Sequence, residues 1–284
     1  MKMNKIITSL SFVALLGFTA CYDADDTIVD PNKQVVVPIE QIYKNGVVLS
    51  GESGATLIAD LQKYFADSDN ITYSSATNIM YTQVDRTAAG KLECVYSGYT
   101  IDISATESNS TINGKEFNCE HTVPQSLFNE QEPMKSDMHH LFPSRDGINT
   151  DRSNYPFADV PDANGKYWYT NTTTERSAII DPDGTSGESP EYSKLSKSNT
   201  FEPRDARKGD IARAGMYFYV IYGKNTNATK AIAFIEKMLP LFKQWDKQDP
   251  VDTMEKERNE KIYQKQGNYN PFVLDATLAD RVFN

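Results

Sequence analysis

All three histidines of this 284-residue chain, His121, His139 and His140, fall between positions 121 and 140. Around them run Asn118-Cys119-Glu120-His121-Thr122-Val123-Pro124-Gln125-Ser126, then Ser136-Asp137-Met138-His139-His140-Leu141-Phe142-Pro143, then Asn149-Thr150-Asp151-Arg152-Ser153-Asn154. Such a density of polar and ionisable groups constrains the fold, because short neighbouring elements must bend back on one another to share a site. Glu116 to His121 reads as a strand, and Pro124 cannot continue a ladder. Successive side chains on a strand face opposite ways, so Glu120 and His121 share a site only at a strand end or a bulge. On a helix His139 and His140 would diverge by about 100°. One of them is therefore expected at the site, while the other packs or supports it.

The set matches a definite chemistry. Hydrolysing a phosphodiester needs an attacking water, a base for its proton, a cation on the phosphate oxygens and a group that holds the phosphate. A histidine suits the base, a carboxylate with an imidazole or amide holds a divalent metal, and an arginine grips phosphate bidentately. A structural zinc site or zinc hydrolase fits less well, since the sequence has no His-x3-His pair and no Cys-x-x-Cys. A surface adhesion or nucleic-acid-binding protein without catalysis is the other class, and the presence of Glu120, His121 and His140 speaks against it.

Cys-Glu-His-Thr-Val-Pro-Gln-Ser, Ser-Asp-Met-His-His-Leu-Phe-Pro and Asn-x-x-Arg-x-Asn resemble the motifs of the endonuclease I family, one of the ββα-metal or His-Me finger nucleases. The similarity extends in order through Phe201-Glu202-Pro203, Lys208 to Ala214, Arg258-Asn259-Glu260 and Gln266 to Phe272. The resemblance implies an α+β fold, with a ββα-metal motif embedded in a mainly helical single domain. It implies a metal-dependent endonuclease acting on DNA, and on RNA as a further substrate, with little sequence specificity. Carried over by position, His121 is the general base and Glu120 a metal ligand. The second ligand falls on His140, in the helical part of the finger. Arg152 is the candidate for contacting phosphate or ordering the site, with Asn149, Asn154 and His139 in support. The implied cofactor is Mg2+, with Mn2+ or Ca2+ as substitutes; an imidazole at position 140 would admit Mn2+ or Zn2+ more readily than an amide does.

At the N-terminus Lys2 and Lys5 precede an apolar run from Ile6 to Phe18, too short for a membrane span and in keeping with a signal peptide over 1–20. Phe18-Thr19-Ala20-Cys21 resembles the site at which bacterial lipoproteins are cleaved and acylated, which makes Cys21 the expected lipid anchor to the outer membrane or cell surface. Residues 21–50, opening on Tyr22-Asp23-Ala24-Asp25-Asp26, read as an acidic tether. The domain is then 51–284, expected as a monomer.

The net charge of −10 argues against loose, charge-driven binding to nucleic acid, so cationic help must be local to the site. With Cys21 lipidated, Cys94 and Cys119 remain and are expected to pair in an exported protein, two separate thiols being the alternative.

Apolar spacing gives helices over Ala55 to Ala66, Ile211 to Tyr222 capped by Asp210, Ala231 to Phe242 and Thr253 to Lys265. Leu92 to Tyr96 and Tyr99 to Ile103 read as a hairpin. The polar stretch Asn171 to Asn199 reads as a loop or insertion.

Overall fold

The computed structural model describes residues 38–66, 71–172, 176–177 and 192–283. The signal peptide, Cys21, the acidic start of the tether and most of the 171–199 insertion lie outside the described residues.

Residues 39–49, assigned to the tether by sequence, instead fold onto the body. Ile39–Ile42 is a single helical turn, and Tyr43–Lys44 pairs antiparallel with Val47–Val48. Ile42, Val48 and Leu49 are buried, and the Val48 amide donates to Asp275 Oδ2 at 3.0 Å. Apolar side chains that reach a core are held there by burial, whatever the acidity of the sequence before them.

Helix α1, Gly54–Phe65, buries Leu57, Leu61 and Phe65, spaced four apart on one face. Helix α2, Tyr73–Ile79, is capped by Thr72, whose hydroxyl accepts from the Ser75 amide. Strands β1, Lys91–Glu93, and β2, Thr100–Asp102, form the expected hairpin with Leu92 opposite Ile101. Strands β3, Phe117–His121, and β4, Leu141–Arg145, pair antiparallel, and helix α3, Asp146–Arg152, follows β4 at once. A four-stranded antiparallel sheet comprises β5, Gly165–Tyr169, β6, Arg176–Ser177, β7, Ser193–Ser196, and β8, Phe201–Glu202, in the order β8-β7-β5-β6.

The C-terminal part is helical. Helix α4, Lys208–Tyr222, is buried on nearly all sides. Asp210 lies in its first turn rather than capping it; the cap position is Arg207, and Asp210 is taken up by an ion pair with that arginine at 2.8 Å. The stretch read as one helix from Ala231 to Phe242 is two, α5, Thr229–Glu236, and α6, Leu239–Gln248. Pro240 explains the break: it has no amide to donate and is tolerated only in the first turn, so a new helix starts there. Gly215 of α4 meets the Phe242 ring of α6 so closely that a Cβ would overlap it, which fixes glycine at that crossing. Helix α7, Thr253–Gln266, is capped by Asp252 and ends at Gly267, whose φ of 84° closes it in the left-handed region.

The architecture is α+β, small sheets against a helical body. Among the described residues no helix is long and apolar enough to cross a membrane.

Candidate functional site

Strand β3 carries Glu120 and His121 in unbroken register, Glu120 opposite Phe142 and His121 opposite Leu141. There is no bulge. The two side chains leave the strand on opposite faces, and His121 is its last residue.

On the first face Asn118 and Glu120, two apart, meet helix α3. Glu120 is 1% exposed; Tyr96 donates its hydroxyl to Glu120 Oε1 at 2.8 Å, and Arg152 Nε lies 3.3 Å from the same oxygen. The arginine contact is an ion pair rather than a directed hydrogen bond, since Nε lacks a hydrogen-bond partner. Burial raises the Glu120 pKa, and Arg152 and the Tyr96 hydroxyl oppose that rise. The second oxygen, Oε2, makes no described hydrogen bond. Asn149, one helical turn before Arg152, donates to Asn118 Oδ1 at 2.6 Å and to the Cys119 carbonyl at 3.1 Å, leaving its own oxygen unengaged. Asn118 in turn donates to Asp146 Oδ1.

On the second face the His121 ring lies 5.5 Å from Tyr73, 6.4 Å from Phe128 and 5.6 Å from His140. Its Nε2 is 3.1 Å from the Lys135 carbonyl. A carbonyl only accepts, so the proton is on Nε2 and the lone pair is on Nδ1. Burial, the neighbouring His140 and other positive charges push the His121 pKa down to about 3, against the Lys135 carbonyl, which raises it. The imidazole is neutral at physiological pH, with Nδ1 open as an acceptor.

The candidates from sequence therefore separate. His140 lies behind His121 and not beside Glu120: its Nε2 donates to the Met134 carbonyl at 2.6 Å, its ring packs edge-on to Phe218, and its Nδ1 is buried without a partner. It belongs to a short 3-10 turn, Met138–His140, and not to the helix after β4. His139 points elsewhere, donating from Nε2 to the Asn268 carbonyl at 3.0 Å and packing on Tyr217. Arg152 is 1% exposed and braces Glu120 and the chain after it, donating to the carbonyls of Thr122 at 2.6 Å and Ser153 at 3.0 Å. Asn154 is exposed in the turn after α3 and bonds to none of the other candidates.

Several residues around the site were not singled out from the sequence, although Asp137 and Arg258 lie in its matched motifs. Tyr96 and Tyr73 come from segments far upstream. Asp137 accepts from the hydroxyls of Tyr217 and Tyr222 and from Gln266, so it ties the turn bearing both histidines to the helical body. Arg258 of α7 pairs with Asp85 and donates to the Leu141 carbonyl at 2.6 Å. In the similarity to a known family Arg258 stood in a matched motif, which was the one signal available for it.

Cys94 and Cys119 are free thiols, so the expected disulfide is not formed. Each has its own surroundings: the Cys94 sulfur accepts from the Arg145 amide at 3.3 Å, while the Cys119 sulfur, on the His121 face, donates to the Glu120 carbonyl at 3.7 Å. Burial pushes the Cys119 pKa up, which keeps it a neutral thiol.

A cleft of about 620 Å³ lies between Asp85, Phe142, Arg207, Glu255 and Arg258; neither Glu120 nor His121 lines it. Among the described residues no group of three or more His, Cys, Asp or Glu side chains is placed to hold a metal ion. A cation on the Glu120 face would thus rest on one carboxylate, amide oxygens and water.

A family model described as Endonuclease I matches residues 53–277. An extracellular ribonuclease of Bacillus amyloliquefaciens is 29% identical over 261 residues, covering 86% of this chain and 78% of the relative. An extracellular ribonuclease of Bacillus subtilis (strain 168) is 27% identical over 250 residues, 82% of this chain and 76% of the relative. A periplasmic deoxyribonuclease of Aeromonas hydrophila is 34% identical over 140 residues, 49% of this chain and 48% of the relative, so that match spans about half of each protein. The family match runs from the residue before α1 to beyond α7 and takes in β3, β4 and α3, and on that basis the chain belongs to the endonuclease I family.

Proposed function

We propose that this protein is an exported nuclease that hydrolyses phosphodiester bonds of DNA or RNA with little sequence preference. Membership of the endonuclease I family, with relatives named as ribonucleases and deoxyribonucleases, carries the reading of the activity. The names extracellular and periplasmic among those relatives support export. Anchoring through lipid on Cys21, to the outer membrane or cell surface, is the finer proposal and rests on the sequence alone.

The general base is His121. The observation behind this is the Nε2 bond to the Lys135 carbonyl, which fixes the tautomer and leaves Nδ1 to accept a proton from water. A pKa near 3 makes a poor base in the free protein. An anionic phosphate beside the ring favours its protonated form, so bound substrate raises the basicity where it is needed.

A divalent cation fits the other face of β3, where Glu120 Oε2 and the Asn149 side-chain oxygen are unengaged. Two hard oxygens and water suit Mg2+, which keeps several of its waters, with Mn2+ and Ca2+ as substitutes. When bound, the cation would polarise the phosphate and stabilise the leaving oxygen. Asn149 replaces His140 as the proposed second ligand, because Asn149 is bonded beside Glu120, to Asn118 and the Cys119 carbonyl, whereas His140 Nε2 is held by the Met134 carbonyl and its ring packs on Phe218. His121 is the last residue of the strand, and at that end one phosphate would meet both the base and the cation. The order β3, β4, α3, with these residues on its strand and helix, is what supports reading the unit as a His-Me finger. Tyr96 and Arg152 hold the Glu120 carboxylate in place; Arg152 is a positioning residue. The binding-protein alternative is not favoured, since base and carboxylate are both present.

Plasmid cleavage by protein lacking residues 1–21 tests this, with Mg2+, with EDTA, and with His121→Ala of unchanged circular dichroism. Cleavage that needs both metal and His121 is the expected result. A fully active His121→Ala protein would remove the base assignment, and an inert wild-type protein that still binds DNA would favour the binding reading.

A further inference from the structure

Base and cation leave one requirement open, an accessible positive charge for the phosphate. The net charge of −10 makes a local one necessary. Arg152 does not supply it. Its guanidinium is 1% exposed, and turning outward would leave the Glu120 charge unpaired in the interior.

Lys135 stands beside His121 on the loop between β3 and β4. Its carbonyl holds the imidazole, so its backbone position is tied to the base. Its ammonium lies over the Tyr73 ring, 5.2 Å from the centroid, and that ring is 5.5 Å from His121. The Lys135 side chain is 22% exposed and pairs with Glu130 at 2.7 Å, itself 56% exposed. A surface pair of this kind is weak and readily exchanged, whereas an ammonium and a phosphate make a strong charge-assisted bond.

We propose that Lys135 is the phosphate-contacting residue of this site: its ammonium leaves Glu130 and takes a non-bridging oxygen of the nucleic-acid phosphate presented to His121. The proposal rests on the nuclease reading for its substrate. It places the contact beside the base, since the Lys135 carbonyl holds the His121 ring.

The test compares wild type, Lys135→Gln, Lys135→Arg and Glu130→Gln, using a short DNA duplex over a tenfold range of NaCl. Steady-state cleavage is measured with Mg2+, and binding is measured by fluorescence anisotropy in EDTA. Lys135→Gln leaves the carbonyl bond to His121 in place. It should raise KM about tenfold and flatten the dependence of log affinity on log salt by about one phosphate contact. Lys135→Arg should restore both, and Glu130→Gln should lower KM. A merely structural lysine would change the melting temperature or kcat and leave the salt slope alone. An active wild type whose KM and salt slope are unchanged in Lys135→Gln overturns the proposal. A wild type without cleavage, but with salt-dependent binding that needs Lys135, overturns the nuclease reading and leaves the phosphate contact standing; absence of both overturns both.

Discussion

Arg152 and Glu120 hold each other inside the protein, with Nε 3.3 Å from Oε1 and each side chain 1% exposed. The pair makes Arg152 a brace, because its other nitrogens are spent on backbone carbonyls, those of His121 and Thr122 among them. Removing one partner of a buried pair leaves an uncompensated charge and costs about 3–5 kcal/mol. Arg152→Ala should therefore lower the unfolding free energy by that order in urea titrations; a loss under about 1 kcal/mol would mean that the pair is not formed as described.

The two faces of β3 separate the metal requirement from the base. Asn149→Ala should raise the Mg2+ concentration needed for half-maximal cleavage about tenfold or more, whereas His140→Asn should leave that titration where it is. The opposite ranking would return the second ligand to His140.

His139 gives a sign for the pH dependence of stability. Burial pushes its pKa from the usual 6.5 down to about 4, with Asp137 and the Asn268 carbonyl opposing the drop. The unfolded chain then takes up a proton that the native chain refuses, so stability is lost as pH falls from about 6.5 towards about 4 and levels off below. Glutamine at 139 keeps a donor for Asn268 but does not titrate. Wild type should lose about 1.4 kcal/mol per pH unit relative to His139→Gln across that window. Taking the difference cancels the opposing effect of Glu120, whose pKa is raised by burial. Parallel curves for the two proteins would show that His139 is not buried neutral.

Cys94 and Cys119 should both react as thiols when protein lacking residues 1–21 is denatured without reductant, and dithiothreitol should leave the melting temperature unchanged. Finding no reactive thiol would establish the disulfide instead.

Two truncations probe the N-terminal edge. A chain beginning at residue 51 loses the buried Ile42, Val48 and Leu49 and the Val48 bond to Asp275. It should be less stable than one beginning at residue 38 by several kcal/mol, at about 1.5–3 kcal/mol for each buried side chain. Equal stabilities would restore 39–49 to the tether.

Local order was legible in the sequence wherever the chain decides it locally. Apolar spacing placed α1 and α7 to within a residue or two, and Pro124 bounded the strand β3. The clustering of His121, His139 and His140 marked the region that holds the candidate site. Pro240 shows the limit of periodicity alone, for the apolar stripe continues across a break that a missing amide imposes.

Tertiary structure decided what depends on direction and distance. Alternation along a strand required that Glu120 and His121 diverge, but the sequence did not say which partners each would meet. Packing of α3 on one face set Arg152 against Glu120 and Asn149 against Asn118, while the loop returning from β3 put Lys135 and His140, and the start of α2 put Tyr73, with His121. His140 and Glu120 looked like one ligand pair because the resemblance, carried over by position, put the second ligand on His140. A two-stranded ribbon has two faces, and the backbone put these residues on different ones. Sequence carried the chemical inventory of the site, while the fold decided which members act together, because burial and backbone hydrogen bonds fix where each side chain points.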